Sequence, residues 1–266
     1  GKAAPRLSFM QERTGLDGGI EMETNASTAQ LSLGTSHFKE ANEEIRRALE
    51  DADVVQLNDV FAQRYIGCTM PEGKRLEIHG TPGNDMACYM DGGQIEVFGN
   101  VQDQIGNTMN GGLVVVHGRC GDAAGYAMRG GRIVIRDDSG WRVGIHMKQY
   151  ENRCPVIVIG GDAGSFLGEY MAGGVILLLG RPGEYIATGM HGGVIYLRHK
   201  LPDDMVAEGL VQESLNDDDI ATVQGLLSEY AQHFEGETDC PDPAEAASFF
   251  KLRPATSRPY ASMYAN

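Results

Sequence analysis

Short segments of alternating apolar residues recur at a fixed interval through the middle of the chain. A methionine marks each interval, and successive markers are 19 residues apart except for one gap of 24. The markers are Met90, Met109, Met128, Met147, Met171 and Met190. The longer gap contains an insertion of five residues within 148–155. Internal repetition of this kind predicts a solenoid with one structural unit per repeat.

The residues five and seven positions after each marker are aliphatic and mostly β-branched. They are Ile95, Val97, Val114, Val116, Ile133, Ile135, Ile176, Leu178, Ile195 and Leu197, and Ile157 and Ile159 complete both columns after the insertion. Alternation at period two predicts one strand per repeat, with one buried face. The segment 75–80 has a similar pattern and predicts the strand of one preceding repeat.

Glycine occupies two further columns of the repeat. Pairs such as Gly92-Gly93 and Gly130-Gly131 follow the markers, and a Gly or Ala stands three residues before each marker. Glycine tolerates positive φ and close backbone approach, so the pairs predict a tight corner before each strand. The Gly/Ala column predicts a position where no larger side chain fits.

The length of the repeat selects the architecture. Nineteen residues are too few for helical-pair repeats of roughly 33–47 or propeller blades of roughly 40–50 residues. Leucine-rich repeats are also excluded, because their asparagine ladder is absent. We therefore predict a mainly β fold, a single-stranded right-handed parallel β-helix of about seven coils with α-helical caps. The methionines could suggest copper, but a stacked column in the core explains them more simply.

Both flanks of the repeat region predict helices. An amphipathic helix is predicted over 36–51, capped by Ser36, and residues 54–66 are predicted to be extended. A second helix is predicted over about 217–235, capped by Asn216 or Asp217, and a third from Pro241 or Pro243 to about Phe250. The apolar face of the second helix is predicted to point inward and consists of Ile220, Val223, Leu226, Leu227, Tyr230 and Phe234. The predicted regions are 1–74 as N-terminal cap and lead-in strand, 75–200 as β-helix, and 201–266 as acidic C-terminal cap with an extended tail. We expect the C-terminal pieces to cover the other end of the solenoid.

Composition narrows the classes of partner. A formal net charge of −15 disfavours nucleic acid or an anionic membrane as a partner. No apolar run is long enough for a membrane helix, and no secretory signal is apparent. The five cysteines are widely spaced without a CxxC motif, which argues against disulfides or a zinc or iron–sulfur site and favours the cytoplasm.

The common catalytic and nucleotide-binding motifs are missing from the sequence. The Gly-rich stretch 80–85 is not followed by the Gly-Lys-Ser/Thr of a P-loop, and neither HExxH nor GxSxG occurs. Some β-helices are polysaccharide lyases that use acidic residues of the coil face, but Asp103 and Asp122 occupy one repeat column and look structural. We predict no catalytic, cofactor-binding or metal-binding residue in this chain.

Charge is distributed unevenly along the chain. Residues 201–242 contain 12 Asp or Glu and no Lys or Arg, whereas 129–153 contain six Lys or Arg against three acidic residues. Either region could bind a partner of opposite charge, or could be ordinary solvated surface. The residues predicted for subunit docking are Arg129, Arg142, His146, Lys148 and Arg153.

Several motifs together resemble a known family. They are the runs 63–67 and 79–85, together with 106–110, 125–131, 143–148, 168–174 and 189–196, and a weaker match at 258–260. These runs are similar to the C-terminal β-helix domain of the glutamate synthase large subunit. The resemblance covers roughly residues 37–200. In that family the β-helix is structural, whereas the amidotransferase cysteine, FMN and iron–sulfur cluster belong to other domains whose motifs are absent here.

The resemblance implies a scaffold subunit of a split glutamate synthase-like complex, of which N-methylglutamate synthase would be one example. It implies two partners, a class II glutaminase-type amidotransferase subunit and an FMN-binding synthase subunit. The alternative is the β-helical subunit of a formylmethanofuran dehydrogenase or formyltransferase-type complex, which has the same glycine-repeat fold. An independent enzyme with a site on the coil face and a homo-oligomer also remain open.

Overall fold

The computed structural model describes residues 27–256, and the strands of this part of the chain form one 11-stranded sheet. The strands are β1 (Thr28–Ser32), β2 (Val54–Phe61), β3 (Arg75–Thr81), β4 (Asp91–Phe98), β5 (Gly111–Val116), β6 (Arg132–Ile135), β7 (Val156–Ile159), β8 (Ala172–Leu178), β9 (Gly192–Leu197), β10 (Leu210–Ser214) and β11 (Phe250–Pro254). From β1 to β9 each strand pairs in parallel with the next. β11 then pairs antiparallel with β9, and β10 with β11.

The strands β2 to β9 are eight successive turns of a parallel β-solenoid, so the predicted fold class is confirmed. The structure has one turn more than the seven counted from the sequence, because β2 pairs with β3. The insertion does not disturb the ladder. It forms a turn closed by a bridge between Tyr150 and Arg153, and β7 keeps its register with both neighbours.

The methionine column lies inside the solenoid, and all six markers are buried. Four of the markers, Met90, Met109, Met147 and Met171, pack against a glycine of the following coil. At Gly131, where φ is +79°, an added Cβ would stand 2.7 Å from Cε of Met109. The glycine pair therefore combines a left-handed corner with the room that the thioether fills. The structure thus confirms the stacked-core interpretation of the methionines.

A helix, α1 (Phe38–Asp51), lies beside the first coils. Ala41 and Ile45 are buried, and the side-chain amide of Asn42 donates to the carbonyl oxygen of Arg64 at 2.8 Å. The N-cap is His37, not the predicted Ser36, because the His37 ring accepts a hydrogen bond from the amide of Lys39. The tail match at 258–260 and the first 26 residues lie outside the described residues.

The second helix, α2 (Asp217–Phe234), is capped by Asn216 as predicted. Its predicted apolar face is confirmed, but the helix does not cover the end of the solenoid. It packs on the outer face of strands β5 to β9, against the outward-facing Val115, Val134, Val158, Leu177 and Tyr196. Strands β5 to β9 therefore carry apolar residues on both faces, and α2 covers the outer face. The open edge of β9 is covered by β11 instead.

The third predicted helix is only a short 3₁₀ turn over Pro243–Ser248. The chain then becomes extended in β11, because Leu252 pairs with Ile195 at the end of the ladder and is itself fully buried. Of the predicted extended tail, residues 252–254 belong to β11, and those after 256 lie outside the described part of the chain. The boundaries predicted for the three regions, at 74/75 and 200/201, remain predictions.

Polar contacts hold α2 against the sheet along its whole length. Asp219 forms a capping box with Asn216, accepts from Tyr196 Oη at 2.8 Å, and pairs with Lys251 at 2.6 Å. Near the end of the helix, Tyr230 Oη donates to the carbonyl oxygen of Arg136 at 2.8 Å. These contacts are formed only when the helix lies flat on the strands.

We expect Gly160→Ala to displace α2. A Cβ at Gly160 would stand 2.0 Å from Tyr230 Oη and 2.1 Å from the carbonyl oxygen of Arg136. The Tyr230 side chain must move away and the Arg136 backbone must shift as well, so the expected loss is about 2 kcal/mol from overpacking and the lost hydrogen bond. Amide hydrogen exchange of α2 measures this loss of stability. Tyr230→Phe is the matched control and should lose only about 1 kcal/mol; equal protection in Gly160→Ala and the native chain would contradict this account.

Candidate docking surface

Each coil reaches its methionine marker through a corner of unusual backbone. Positions five, three and one before the marker have positive φ in nearly every coil, as at Arg142 (+60°), Gly144 (+71°) and His146 (+55°). A left-handed conformation costs a non-glycine residue about 1–2 kcal/mol. Hydrogen bonds between neighbouring coils hold it in place, for example from the amide of Arg142 to the carbonyl oxygen of Ser165 at 2.9 Å. The corners are therefore rigid and present side chains in fixed rows.

Aromatic side chains occupy these rows in the later coils. Phe166 stacks on Tyr185 with ring centroids 5.0 Å apart, and Trp141 lies 6.4 Å from Phe166. Alongside, His146 stacks on Tyr170 at 5.3 Å and meets the edge of Tyr126 at 6.0 Å. We call this surface the corner ridge; its residues are Tyr126, Trp141, Arg142, His146, Phe166, Tyr170 and Tyr185.

Arg142 is held on two sides within the corner ridge. Its guanidinium carbon lies 4.7 Å from the centroid of the Phe166 ring, and it forms an ion pair with the buried carboxylate of Glu169. A guanidinium held between an aromatic face and a carboxylate is fixed in position. Trp141 and Tyr185 are nevertheless 56% and 61% exposed. Contiguous exposed aromatic surface of this kind typically marks a binding site.

The five residues predicted for docking fall into two groups. Arg142 and His146 belong to the corner ridge. Arg129 and Lys148 each follow a marker and are exposed. They lie on neighbouring coils, since the amide of Lys148 donates to the carbonyl oxygen of Met128 at 3.0 Å. Arg153 joins them from the insertion, since its Cβ is 3.2 Å from where a Cβ at Gly130 would stand, and its guanidinium reaches Asp91 at 3.1 Å.

Part of the basic segment is used within the chain itself. Arg132 pairs with Glu229 of α2 at 2.5 Å, and Arg136 pairs with Glu237 at 2.8 Å. The acidic C-terminal region and the basic segment, both considered as sites for an outside partner, therefore partly neutralise each other. Among residues 27–256 no carboxylate forms an ion pair with Arg129 or Lys148.

The aromatic half of the corner ridge was not predicted from the sequence. Phe166 and Tyr185 each stand five residues before a marker, and Tyr170 and His146 stand one before. Aligning those two columns would have shown bulky residues at equivalent positions. The earlier coils hold Asp85, Gln104 and Ala123 in the first of these columns, so no continuous ladder is visible in the sequence alone.

Metal-binding clusters and membrane-spanning helices are both absent from the part of the chain that the structure describes. No cluster of three or more His, Cys, Asp or Glu side chains could hold a metal ion there. Neither of the two α-helices within residues 27–256 is long and apolar enough to cross a membrane. The corner ridge itself offers stacking, cation and carboxylate contacts, which suit recognition of a surface.

Comparisons with known proteins agree with this architecture. The chain is 37% identical over 242 residues to the uncharacterized protein MJ1350 of Methanocaldococcus jannaschii, covering 86% of this chain and 93% of that protein. Its fold is similar to a chain of the formyltransferase/hydrolase complex FhcABCD from Methylorubrum extorquens, solved in complex with methylofuran. The TM-score is 0.62 at 18% identity, over 86% of this chain and all of the other. The model of the GXGXG motif family matches residues 44–241. The chain therefore belongs to the GXGXG motif family, the type of domain found at the C-terminus of the glutamate synthase large subunit.

Proposed function

We propose that this protein is a non-catalytic scaffold subunit of a split glutamate synthase-like complex, N-methylglutamate synthase being one candidate. The observation that carries the proposal is the corner ridge, a rigid row of exposed aromatic rings clamped by Arg142. Tryptophan, tyrosine and arginine are the residues that dominate binding energy at protein interfaces. A solenoid whose coils pair along their whole length can present such a row without deforming.

The proposed partners are a class II glutaminase-type amidotransferase subunit and an FMN-binding synthase subunit. FMN and an iron–sulfur cluster would be held by the partners, and this chain would hold the two active sites in register so that ammonia passes between them. Membership of the GXGXG motif family supports this assignment. The proposed compartment is the cytoplasm, which the five free thiols support.

A second candidate is the corresponding subunit of a formyltransferase or formylmethanofuran dehydrogenase complex. The observation in its favour is the fold of the FhcABCD chain, all of which aligns with this chain. The two candidates share the scaffold role and differ in the partners. Identifying the partners therefore decides between them.

Gentle purification of the tagged protein from its native host, followed by mass spectrometry, tests the proposal. We expect a glutaminase-type chain and an FMN-binding chain to co-purify in fixed ratio, with a flavin spectrum. Formyltransferase or molybdopterin subunits would establish the second candidate. Recovery of the chain alone at physiological salt would contradict both.

Substitutions on the corner ridge should release these partners. We expect Trp141→Ala and Arg142→Ala each to weaken binding by about 2 kcal/mol, roughly 30-fold in Kd, as for typical interface hot spots. Titration calorimetry with the purified partner measures the loss. Tyr89→Ala is the matched control, because Tyr89 is 55% exposed on an earlier coil and lies outside the corner ridge. Equal loss in the control, or no loss in Trp141→Ala, would move the docking surface elsewhere.

A further inference from the structure

Two of the five cysteines are stacked on one another at the corners of neighbouring coils. Cys68 stands two residues before Met70 and Cys88 two before Met90, so they occupy the same place in the repeat. Hydrogen bonds on both sides hold the two corners together. The amide of Ala87 donates to the carbonyl oxygen of Ile66 at 2.8 Å, and the amide of Thr69 donates to that of Cys88 itself at 3.0 Å.

This stacking brings the two thiols within bonding reach. Equivalent residues of neighbouring coils lie about 4.8 Å apart, and a disulfide needs Cα atoms about 4.4–6.8 Å apart. The Cys68 thiol is also close enough to the Cys88 thiol to raise its pKa. Both are unpaired thiols in this structure. A sulfur–sulfur bond could therefore form with little movement of the backbone.

The two thiols differ in their access to solvent. Cys88 is buried, with 4% of its surface exposed. Cys68 is half-buried and lines a groove of about 240 Å³ between α1 and the first corner, together with Asn42, Arg46 and Thr69. A small oxidant can enter this groove and reach Cys68, whereas Cys88 lies behind it.

Burial raises the pKa of the Cys88 thiol far above its ordinary value, and the neighbouring Cys68 thiol and the Asp85 carboxylate raise it further. Cys88 therefore stays protonated and is a poor first nucleophile. The asymmetry of a reachable thiol and a protonated thiol behind it is the arrangement of an attacking and a resolving cysteine.

We propose that Cys68 and Cys88 are a redox-active pair that forms a reversible disulfide on exposure to a hydroperoxide. The thiolate of Cys68 attacks one oxygen of hydrogen peroxide and the O–O bond breaks. The attacked oxygen stays on Cys68 as a sulfenic acid, and the other leaves as hydroxide. The sulfur of Cys88 then attacks the Cys68 sulfur and expels hydroxide, which takes up the Cys88 proton as water. The two thiols lose two electrons in all, the peroxide gains them, and a dithiol reductant reverses the step.

The disulfide would fasten the corner of the first complete coil to the corner of the next, at the wall of the groove under α1. Since the side-chain amide of Asn42 reaches the same corner through Arg64, the bond would fix the place where α1 meets the solenoid. This site is independent of the corner ridge, which occupies later coils, and of the function proposed above.

The remaining cysteines provide internal controls. Cys120 is buried and its bridge partners in the neighbouring coils are Val101 and Ser139, so it has no stacked thiol. Cys154 lies in the insertion, and Cys240 follows α2 and is in contact with its own segment. A selective oxidation of one pair should leave these three thiols unchanged.

The test is mass spectrometry of the full chain, purified in reductant and then treated with hydrogen peroxide. We expect the intact mass to fall by the mass of two hydrogen atoms. Digestion should then give a peptide in which Cys68 is linked to Cys88, and dithiothreitol should restore both thiols. Cys88→Ser should stop at a Cys68 sulfenic acid that dimedone traps, and Cys120→Ser should behave like the native chain.

The native chain alone can overturn the proposal, so its failure does not depend on the variants folding. Oxygen added to Cys68 without a cross-link, a cross-link that involves any other cysteine, or unchanged thiols in folded protein would each do so. In Cys88→Ser, circular dichroism confirms the fold before the dimedone result is interpreted. Protection of Cys68 from iodoacetamide in the reduced native chain would also contradict it, because access through the groove is required.

Discussion

Gly125→Ala is expected to destabilise the solenoid by about 3 kcal/mol, through two separate effects. Gly125 has a φ of +68°, and a left-handed backbone costs alanine about 1–2 kcal/mol. An added Cβ would also stand 2.5 Å from Cδ1 of Ile157 in the following coil. Overpacking of this kind costs about 1–3 kcal/mol in a closely packed interior.

The sequence already contains the compensated form of this pair. Ala87 occupies the place of Gly125 in an earlier coil, with a φ of +59°, and the residue at the place of Ile157 is then Val114. Valine has no Cδ1, so an alanine methyl fits. We therefore expect Ile157→Val to relieve Gly125→Ala, so that the double variant is no less stable than Gly125→Ala alone.

Urea unfolding followed by circular dichroism measures this double-mutant cycle. Ile157→Val alone should lose about 0.5–1.5 kcal/mol, and the coupling with Gly125→Ala should be of similar size and opposite sign. Gly73→Ala separates the two effects, because its φ is +81° and nothing lies within 4 Å of an added Cβ. Additive losses would show that the Gly125 column is set by backbone conformation and not by packing.

The same columns explain why the interior could be predicted from sequence. Each interior position is constrained by the equivalent residue one coil earlier and one coil later, so the constraint is repeated along the chain. A packing requirement, such as the space that Gly131 leaves for Met109 or that Gly125 leaves for Ile157, therefore recurs at the same spacing. The insertion was recognisable for the same reason, because the columns resume after it.

The outer surface carries no such repetition, and there the predictions were weaker. The apolar face of α2 was visible, but the stripe that receives it consists of outward-facing residues such as Val134 and Leu177, which also fit an ordinary buried strand. Two of the six basic residues between 129 and 153 pair with the acidic residues Glu229 and Glu237. That pairing follows from where α2 lies, so local charge counts could not separate internal ion pairs from a docking surface.

The end of α2 contains the ion-pair network for which we expect the second large effect. His117, directly after β5, has 7% of its side chain exposed. Its Nε2 lies 3.0 Å from Glu96 Oε1, and its Nδ1 lies 2.9 Å from both carboxylate oxygens of Glu237. Carboxylates only accept hydrogen bonds, and a neutral imidazole has a single N–H. The geometry therefore requires a protonated His117.

Each carboxylate that contacts His117 is also paired with an arginine. Arg75 reaches Glu96 at 2.6 Å and Arg136 reaches Glu237 at 2.8 Å. His233 of α2 interacts electrostatically with Glu96 and His117, and burial lowers the pKa of His233. Apolar rings complete the packing, since Phe98 stacks on His117 at 4.7 Å and Phe234 meets it edge-on at 5.1 Å. His117 is the proton-dependent link between the sheet and the end of α2.

Burial alone would lower the pKa of His117, but hydrogen bonds to Glu96 and Glu237 outweigh it and raise the pKa above 6.5. The stabilising contribution is thus fully present below pH 6.5 and is lost as pH rises through the raised pKa. The same contacts lower the pKa of Glu96 and Glu237 below 4.5. Their contribution is present above pH 4.5 and is lost as pH falls through the lowered values.

We therefore expect His117→Ala to lose about 3 kcal/mol at pH 6, the lower end of the range for breaking a buried ion pair. The difference from the native chain should shrink as pH rises from 6.5 through the raised pKa of His117, by at most about 1.4 kcal/mol per pH unit. Urea unfolding between pH 5 and 9 measures the slope, and amide exchange at α2 locates it. His79→Ala is the matched control, because His79 in β3 stacks on Phe98 at 4.9 Å and has no carboxylate partner within residues 27–256. A difference that stayed constant over this pH range would show that His117 is held by ring packing and that its charge contributes nothing to the docking of α2.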